Sequence, residues 1–324
     1  MDPLNWATES QPILALSPMA DMTDSAFCRV IKEVNEHERY PIIFREMVSS
    51  EAVVRENTKT LSMATIHPDE RPLVQQLFGS DPATMAEAAR MIYEKEHPDG
   101  FDINMGCPVY KIVSNFNGAA LMKEPERAAA LVKAVKKAVN VPLSVKIRLG
   151  WSEPTEALTF AKIIEDAGAD LLIVHGRTKA QGYSGTSDWN MVGQVKKSVS
   201  IPVLCNGDIH HSSLIKKALE ISGCDGVCIA RGALGNPWIF RDFLSIEKGE
   251  TPEPVTLEDR IRVVRRHLEL HLEQYGPRAT LTFRKHLGWY FKGISNIKPL
   301  REKMMTAKTV EELNKILDAV TART

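Results

Sequence analysis

The chain has 324 residues, 44% of them hydrophobic, so it can bury a large core, and its 41 Lys+Arg against 41 Asp+Glu give no global attraction to polyanions. No apolar run approaches the roughly 18 residues of a membrane span, and no basic segment followed by an apolar one opens the chain, which predicts a cytoplasmic protein without a membrane partner. Five cysteines without a C-x-x-C pair argue against a disulfide framework or a cysteine zinc site and predict reduced thiols.

In chain order, short apolar runs bounded by turn residues predict strands at Ile13–Ser17, Ile42–Glu46, Leu73–Phe78, Phe101–Asn104, Leu143–Ile147, Leu171–His175, Pro202–Asn206 and Gly226–Ala230. Helical periodicity between them predicts helices over Asp24–Val34, Pro82–Glu96, Glu124–Val139, Pro154–Ala167 and His211–Ile221. Strands that alternate with helices and are apolar on both faces indicate a parallel sheet. Eight such units fit a (β/α)8 TIM barrel over residues 1–251 better than an open doubly wound sheet. After Asp242 the pattern changes to a Pro-containing linker, Gly249–Pro254, and then to helical sequence, which predicts a small all-helical domain over 252–324.

That tail holds 14 Lys+Arg against 9 Asp+Glu, leaving 27 against 32 in residues 1–251, so the zero average conceals a basic tail on an acidic barrel. Arg260, Arg262, Arg265 and Arg266 fall on one short predicted helix, and Arg284-Lys285-His286 with Trp289 and Tyr290 fall on another. Basic residues interleaved with aromatics suit a nucleic-acid backbone, and equally suit a solvated helix face over core aromatics. His267 and His271 have the spacing of helical zinc ligands, but Glu269 is misplaced for H-E-x-x-H and no third ligand is evident, so both are expected at the surface or on a nucleic acid.

Polar residues gather where the predicted strands end: Asn104, His175 and Asn206 close their strands, and Gln76, Lys146 and Arg148 lie near the ends of theirs. Such a rim is costly to bury unless a ligand supplies partners, and barrel enzymes build their sites at that mouth. The loops after the seventh and eighth strands, Asn206-Gly207-Asp208 and Ala230-Arg231-Gly232-Ala233, let backbone N–H groups approach an anion, which predicts a phosphorylated ligand. Lys146 and Arg148, two apart, share one face of their strand. A fixed cation there would stabilise an anionic reduced flavin, or as a lysine could form a Schiff base.

The segment Asp102-Ile103-Asn104-Met105-Gly106-Cys107-Pro108 ends an apolar run with an amide, a glycine and a thiol held by proline, so Cys107 sits in a shaped loop where it can reach a ligand. Cys28, Cys205, Cys224 and Cys228 lie in apolar stretches and are expected to be small buried hydrophobes.

Taken in order, Leu16-Ser17-Pro18-Met19-Ala20 with Thr23-Asp24, Gln76-Leu77-Phe78-Gly79-Ser80, Asn104-Met105-Gly106-Cys107-Pro108, Ser144–Trp151, His175-Gly176-Arg177-Thr178, Asn206-Gly207-Asp208-Ile209 and Phe283-Arg284-Lys285-His286 resemble the tRNA-dihydrouridine synthases. These are FMN-dependent (β/α)8 enzymes with a carboxyl-terminal helical domain, and the likeness runs across nearly the whole chain. It implies FMN as cofactor, NADPH as reductant and tRNA as substrate; a monomer is expected. Pro18, Met19 and Ala20 would lie along the flavin, Gln76 would bond its ring, and Lys146 and His175 would contact the ring or ribityl oxygens. Asn206, Gly207, Asp208, Ala230 and Arg231 would hold the phosphate. Asn104 and Arg148 would position the uracil, Arg284 and Lys285 would contact the tRNA, and Cys107 would donate a proton.

Ser17-Pro18 and Ala230-Arg231 replace the family's usual Ala-Pro and Gly-Arg, small-for-small changes compatible with binding. The segment after Cys107, Tyr110–Gly118, departs from the usual basic, glycine-rich loop. Conjugation of the uracil C5=C6 bond to the C4 carbonyl directs hydride to C6 and a proton to C5, and a thiol, mostly protonated at neutral pH, suits the second task. No G-x-G-x-x-G follows the first strand, so no separate nicotinamide domain is expected. The alternatives are an FMN barrel acting on a free pyrimidine, against which the basic tail argues, and a non-catalytic tRNA-binding protein, against which Cys107 and Lys146 argue. A flavin-free phosphosugar enzyme of the same fold is a third.

Overall fold

A computed structural model describes residues 3–35, 39–276, 279–294 and 297–321. In chain order its elements are β1 (Ile13–Leu16), α1 (Ser25–Asn35), β2 (Ile42–Ser49), α2 (Ser50–Val54), α3 (Thr58–Ala64), β3 (Leu73–Phe78), α4 (Pro82–Glu96), β4 (Gly100–Met105), α5 (Tyr110–Val113), α6 (Pro125–Ala138), β5 (Leu143–Arg148) and α7 (Glu156–Asp166). There follow β6 (Leu171–His175), α8 (Trp189–Ser198), β7 (Val203–Asn206), α9 (Ser212–Ser222), β8 (Gly226–Ile229), α10 (Ile239–Glu247), α11 (Leu257–Tyr275), α12 (Thr280–Tyr290), α13 (Lys298–Thr306) and α14 (Val310–Thr321). The strands pair in parallel and in sequence order as a closed eight-stranded barrel, the expected TIM-barrel architecture.

The strands are buried on both faces because helices cover the outside and side chains fill the inside, so their sequences are continuous apolar runs rather than alternating ones. Closure depends on Gly226, where β8 meets β1: a Cβ there would lie 2.1 Å from the Ile13 carbonyl oxygen. The helices start where sequence chemistry places a cap. Asp81 accepts the Thr84 N–H at 2.8 Å ahead of α4, Asp188 accepts Met191 N–H at 2.9 Å ahead of α8, and Thr256 with Asp259 forms a reciprocal capping box on α11. β2 runs to Ser49, three residues past the expected end, because Ser49 caps α2 directly. α8, missed by periodicity, carries that Asp188 signal.

The four tail helices α11 to α14 share an apolar cluster that includes Phe283, Leu287, Phe291, Leu313 and Leu317, and it continues into Ala26 and Val30 of α1. Two expectations for the tail need correction. The arginine-bearing helix is 19 residues long, and three of its four arginines are structural ties: Arg260 donates to the Gly235 and Tyr290 carbonyls, Arg265 pairs with Asp318, and Arg266 pairs with Glu33 of α1, while Arg262 is exposed and pairs with Asp259 of the same helix. His267 and His271 are fully buried rather than at the surface, because the face of α11 that carries them is the one packed on α1 and α12.

Candidate active site

Register brings the polar strand ends together. Asn104 lies beside Lys146, Arg148 beside His175, and His175 beside Asn206, so β4 to β7 deliver them as one row at the carboxyl-terminal mouth. They line a cavity of about 720 Å³ together with Pro18, Met19, Ala20, Gln76, Cys107, Gly207, Asp208, Ala230 and Arg231. Every residue assigned from sequence to the cofactor, the uracil or proton donation therefore opens onto one space. Arg284 and Lys285 do not line it. Arg284 donates to the Ala307 carbonyl at 2.6 Å, and the Lys285 ammonium donates to the Asp21 carbonyl.

A chain of hydrogen bonds orients the amides. Asp102 accepts the Ser144 hydroxyl and the Gln76 amide, each at 2.6 Å, which turns the Gln76 oxygen toward Asn104. Asn104 donates to that oxygen at 3.0 Å, and its own oxygen accepts the N–H groups of Gly106 at 3.2 Å and Cys107 at 2.9 Å. Because the terminal acceptor is a carboxyl, both amide orientations are fixed without choice. Burial pushes the Asp102 carboxyl up to about 6, against the opposing effect of the two hydrogen bonds it accepts.

The thiol of Cys107 is half-buried, the other four cysteines being buried as expected. Its loop is closed from behind by Gly118, whose φ is +60°; a Cβ there would lie 2.8 Å from the Cys107 carbonyl oxygen, which accepts the Ala119 N–H.

Opposite the thiol, the Lys146 ammonium donates to Asn206 Oδ1 at 3.0 Å, and Asn206 in turn donates to the Cys228 carbonyl at 2.6 Å. Burial, with Arg148 adding, pulls Lys146 below the ordinary lysine value. Burial and the surrounding cations likewise hold His175 well below the usual imidazole range, so the ring is neutral at pH 7. Arg148 donates to the carbonyls of Gly106, Thr178 and Gly182, which ties the loops after β4 and β6 together.

Sequence reasoning assigned no role to Arg177, which grips Asp208 through both carboxylate oxygens at 2.9 and 2.7 Å and donates to the Gly185 carbonyl at 2.7 Å. Its place two residues after the polar end of β6 is the signal that could have found it. Asp208 is thereby neutralised, and it also accepts Ser187 N–H at 2.7 Å. Also unforeseen were Tyr183, with the guanidinium groups of Arg231 and Arg148 at 5.1 and 5.7 Å from its ring centroid, and Trp289 of α12, which reaches the cavity from the tail.

The donor set suits an anionic, planar ligand. Lys111, Lys146, Arg148 and Arg231 line the cavity against Asp21 and an Asp208 that is already paired, so positive charge is in excess, and the glycine-bearing loops after β7 and β8 add backbone N–H groups. Around the mouth, exposed aromatics stand among cations: Tyr110 and Phe116 are 84% and 56% exposed, Arg127 lies over Phe116, and Lys123 and Lys179 both lie over Trp151.

The family model described as Dihydrouridine synthase (Dus) matches residues 14–324. A probable tRNA-dihydrouridine synthase of Rickettsia conorii is 38% identical over 292 residues, spanning 89% of this chain and 87% of that protein. A probable tRNA-dihydrouridine synthase 1 of Synechocystis sp. is 37% identical, spanning 93% of this chain and 84% of that protein. Among solved structures, morphinone reductase superposes with a TM-score of 0.54 at 10% identity over 79% of this chain and 91% of that one. TcOYE with pHBA gives 0.53 at 12% identity over 84% and 97%. At such identities these two structures speak to the barrel fold alone.

Proposed function

Because the chain belongs to the dihydrouridine synthase family, we propose that it reduces the C5=C6 bond of uridine in tRNA to 5,6-dihydrouridine, with FMN as cofactor and NADPH as reductant. FMN, when bound, supplies the hydride for uracil C6. The cavity fits that group by its chemistry: a half-buried ammonium whose hydrogen bond among the described residues goes to a neutral amide, beside two anion-accepting loops. Asn206, Gly207, Asp208, Ala230 and Arg231 would hold the phosphate. Lys146 and His175 would meet the polar edge of the ring and the ribityl oxygens, Gln76 would bond the ring, and Pro18, Met19 and Ala20 would pack along it.

Cys107 acts as the general acid that delivers a proton to C5. Its peptide N–H is fixed by Asn104, so the loop presents the thiol from a constant position rather than sampling solvent. Asn104 and Arg148 border the same space and would orient the uracil. Placing the reaction in the barrel mouth leaves the rim free for RNA.

The exposed aromatic and cationic rim formed by Tyr110, Phe116, Trp151 and Tyr183 is suited to stack bases and meet phosphates. The tail, residues 252–324 by our division, would supply further affinity through its excess of basic residues, Arg284 and Lys285 among them. Among the described residues no helix is long and apolar enough to cross a membrane. A monomer in the cytoplasm accords with this reading.

The observation that carries it is the convergence of Asn104, Cys107, Lys146, Arg148 and His175 on one cavity in a chain of this family. The test is to map dihydrouridine in RNA from cells with and without the gene, together with mass analysis of the ligand released by acid. Loss of dihydrouridine at defined tRNA positions and release of FMN are expected. Unchanged tRNA with retained FMN would shift the reading to a free pyrimidine substrate.

A further inference from the structure

Where the tail meets the barrel, Asp24 at the start of α1, His267 and His271 of α11 and His286 of α12 converge. Each is buried, and one nitrogen or oxygen from each lies within 4.8 Å of the others. Three ring nitrogens, His267 Nε2, His271 Nδ1 and His286 Nε2, have no hydrogen-bond partner among the described residues. Buried polar atoms left unpaired cost roughly 1–3 kcal/mol each, so three at one point call for something that satisfies all of them.

The Thr282 hydroxyl lies 3.0 Å from the Ala279 carbonyl and 2.9 Å from His271 Nε2, and its single hydrogen serves one of them. With that hydrogen on the carbonyl, Nε2 is the donor and His271 Nδ1 faces Asp24 Oδ2 at 3.6 Å, an arrangement that a cation between them would satisfy. His267 Nδ1 meets the Tyr290 hydroxyl at 3.0 Å, which leaves Nε2 for the cluster. Metal-bound histidines are held in this way, with the far ring nitrogen on an oxygen and the near one bare. Asp24 is restrained similarly, its Oδ1 accepting Phe27 N–H at 3.0 Å and its Oδ2 accepting the Tyr275 hydroxyl at 3.2 Å. Phe27 and Phe283 pack against the imidazoles and keep water out.

We propose that Asp24, His267, His271 and His286 form a tetrahedral binding site for a divalent metal ion, of which zinc best matches three imidazole nitrogens and one carboxylate oxygen. Metal–ligand distances of about 2.0–2.2 Å set ligand separations of about 3.4 Å, so the 3.6 Å pair is already in place and the widest pair closes by an ångström or so. All four protein positions are occupied, so the site is structural rather than catalytic. It joins the barrel to α11 and α12 one residue away from Lys285, whose ammonium holds the Asp21 carbonyl at the cavity rim.

The test uses untagged full-length protein purified without chelator. Elemental analysis should find about one zinc per chain, and X-ray absorption at the zinc edge should show four N/O ligands with imidazole scattering. Removing the metal with a strong chelator should lower Tm. Added Zn²⁺ should restore it, and added Co²⁺ should give the intense visible absorption of a four-coordinate ion. His286→Gln should weaken metal retention at least 100-fold while FMN content stays unchanged. Protein that is metal-free as isolated and shows neither a Tm rise with Zn²⁺ nor the Co²⁺ spectrum would overturn the site in favour of a plain Asp24–His271 ion pair. So would a metal that His286→Gln retains equally well. If that variant does not fold, the zinc-edge spectrum of the wild-type protein decides, since sulfur ligation or six-fold coordination rejects the site.

Discussion

Asn104 holds Cys107 through the backbone: its side-chain oxygen accepts the Cys107 N–H at 2.9 Å, while the Gln76–Asp102 pair behind it prevents the amide from turning over. The thiol proposed as proton donor is thus anchored by a residue two strands deep in hydrogen bonds, and the two residues should fail differently. Cys107→Ala removes the acid and should lower dihydrouridine formation by roughly 10²–10⁴-fold, with FMN binding and NADPH oxidation retained. Undiminished product would reassign the proton donor.

Asn104→Ala leaves the thiol but frees the Gly106 and Cys107 N–H groups, at a cost of about 1–3 kcal/mol for each that stays buried. We expect a smaller loss in kcat than for Cys107→Ala together with lower thermal stability. Loss of stability without any change in kcat would show that the loop does not need this anchor.

For Lys146 the expectation is weaker flavin retention. Lys146→Met removes a charged hydrogen bond, worth about 1.5–3 kcal/mol or roughly 10–100-fold in affinity, and leaves Asn206 Oδ1 without its donor. Fluorescence titration of the stripped protein with FMN reads this directly. Arg177→Met provides the comparison, because it acts on the phosphate loop only through Asp208, and it should cost roughly tenfold or more. Wild-type affinity in both variants would move the cofactor elsewhere.

Asp102 gives a pH signature. Its folded-state value of about 6 lies above the ordinary 3.8, so the native protein binds more protons than the unfolded chain between those limits. Its contribution is therefore present in full below 3.8 and is lost as pH rises through 6, an effect on the order of 2–3 kcal/mol for about two units. Denaturant midpoints measured across this window should lose that slope in Asp102→Asn. An identical slope in the variant would place the titrating group elsewhere.

The barrel was legible because its rules are local. Strand ends such as Asn104, His175 and Asn206 break an apolar run with a polar residue, and parallel register then has little freedom but to set them side by side. Tertiary partners were not legible. Nothing near Arg177 in sequence announces Asp208, 31 positions on, and the arginines of α11 suited a nucleic-acid backbone and a solvated helix face equally until their partners on α1 and α14 appeared. His267 and His271 were dismissed as ligands for want of a third, since His286 and Asp24 come from other elements and only packing of the tail on α1 assembles the set. Trp289 reaches the cavity by the same packing.

That distinction also decides where RNA contacts should be sought. Arg260, Arg265, Arg266 and Arg284 are engaged in holding the tail together, so alanine at these positions would confuse folding with binding. Lys298, Arg301 and Lys303 on α13 are exposed and make no such side-chain tie among the described residues. Phosphate contacts release counterions, so if α13 faces the tRNA backbone, replacing all three by Ala should flatten the log–log salt dependence of binding by roughly 2–3, at about 0.7–0.9 per contact. The apparent KM for tRNA should rise, while FMN content and RNA-independent NADPH oxidation stay constant. An unchanged salt slope would instead place recognition on the aromatic rim of the barrel, where Tyr110→Ala and Phe116→Ala should then weaken binding by about 1–3 kcal/mol per lost stack with little change in slope.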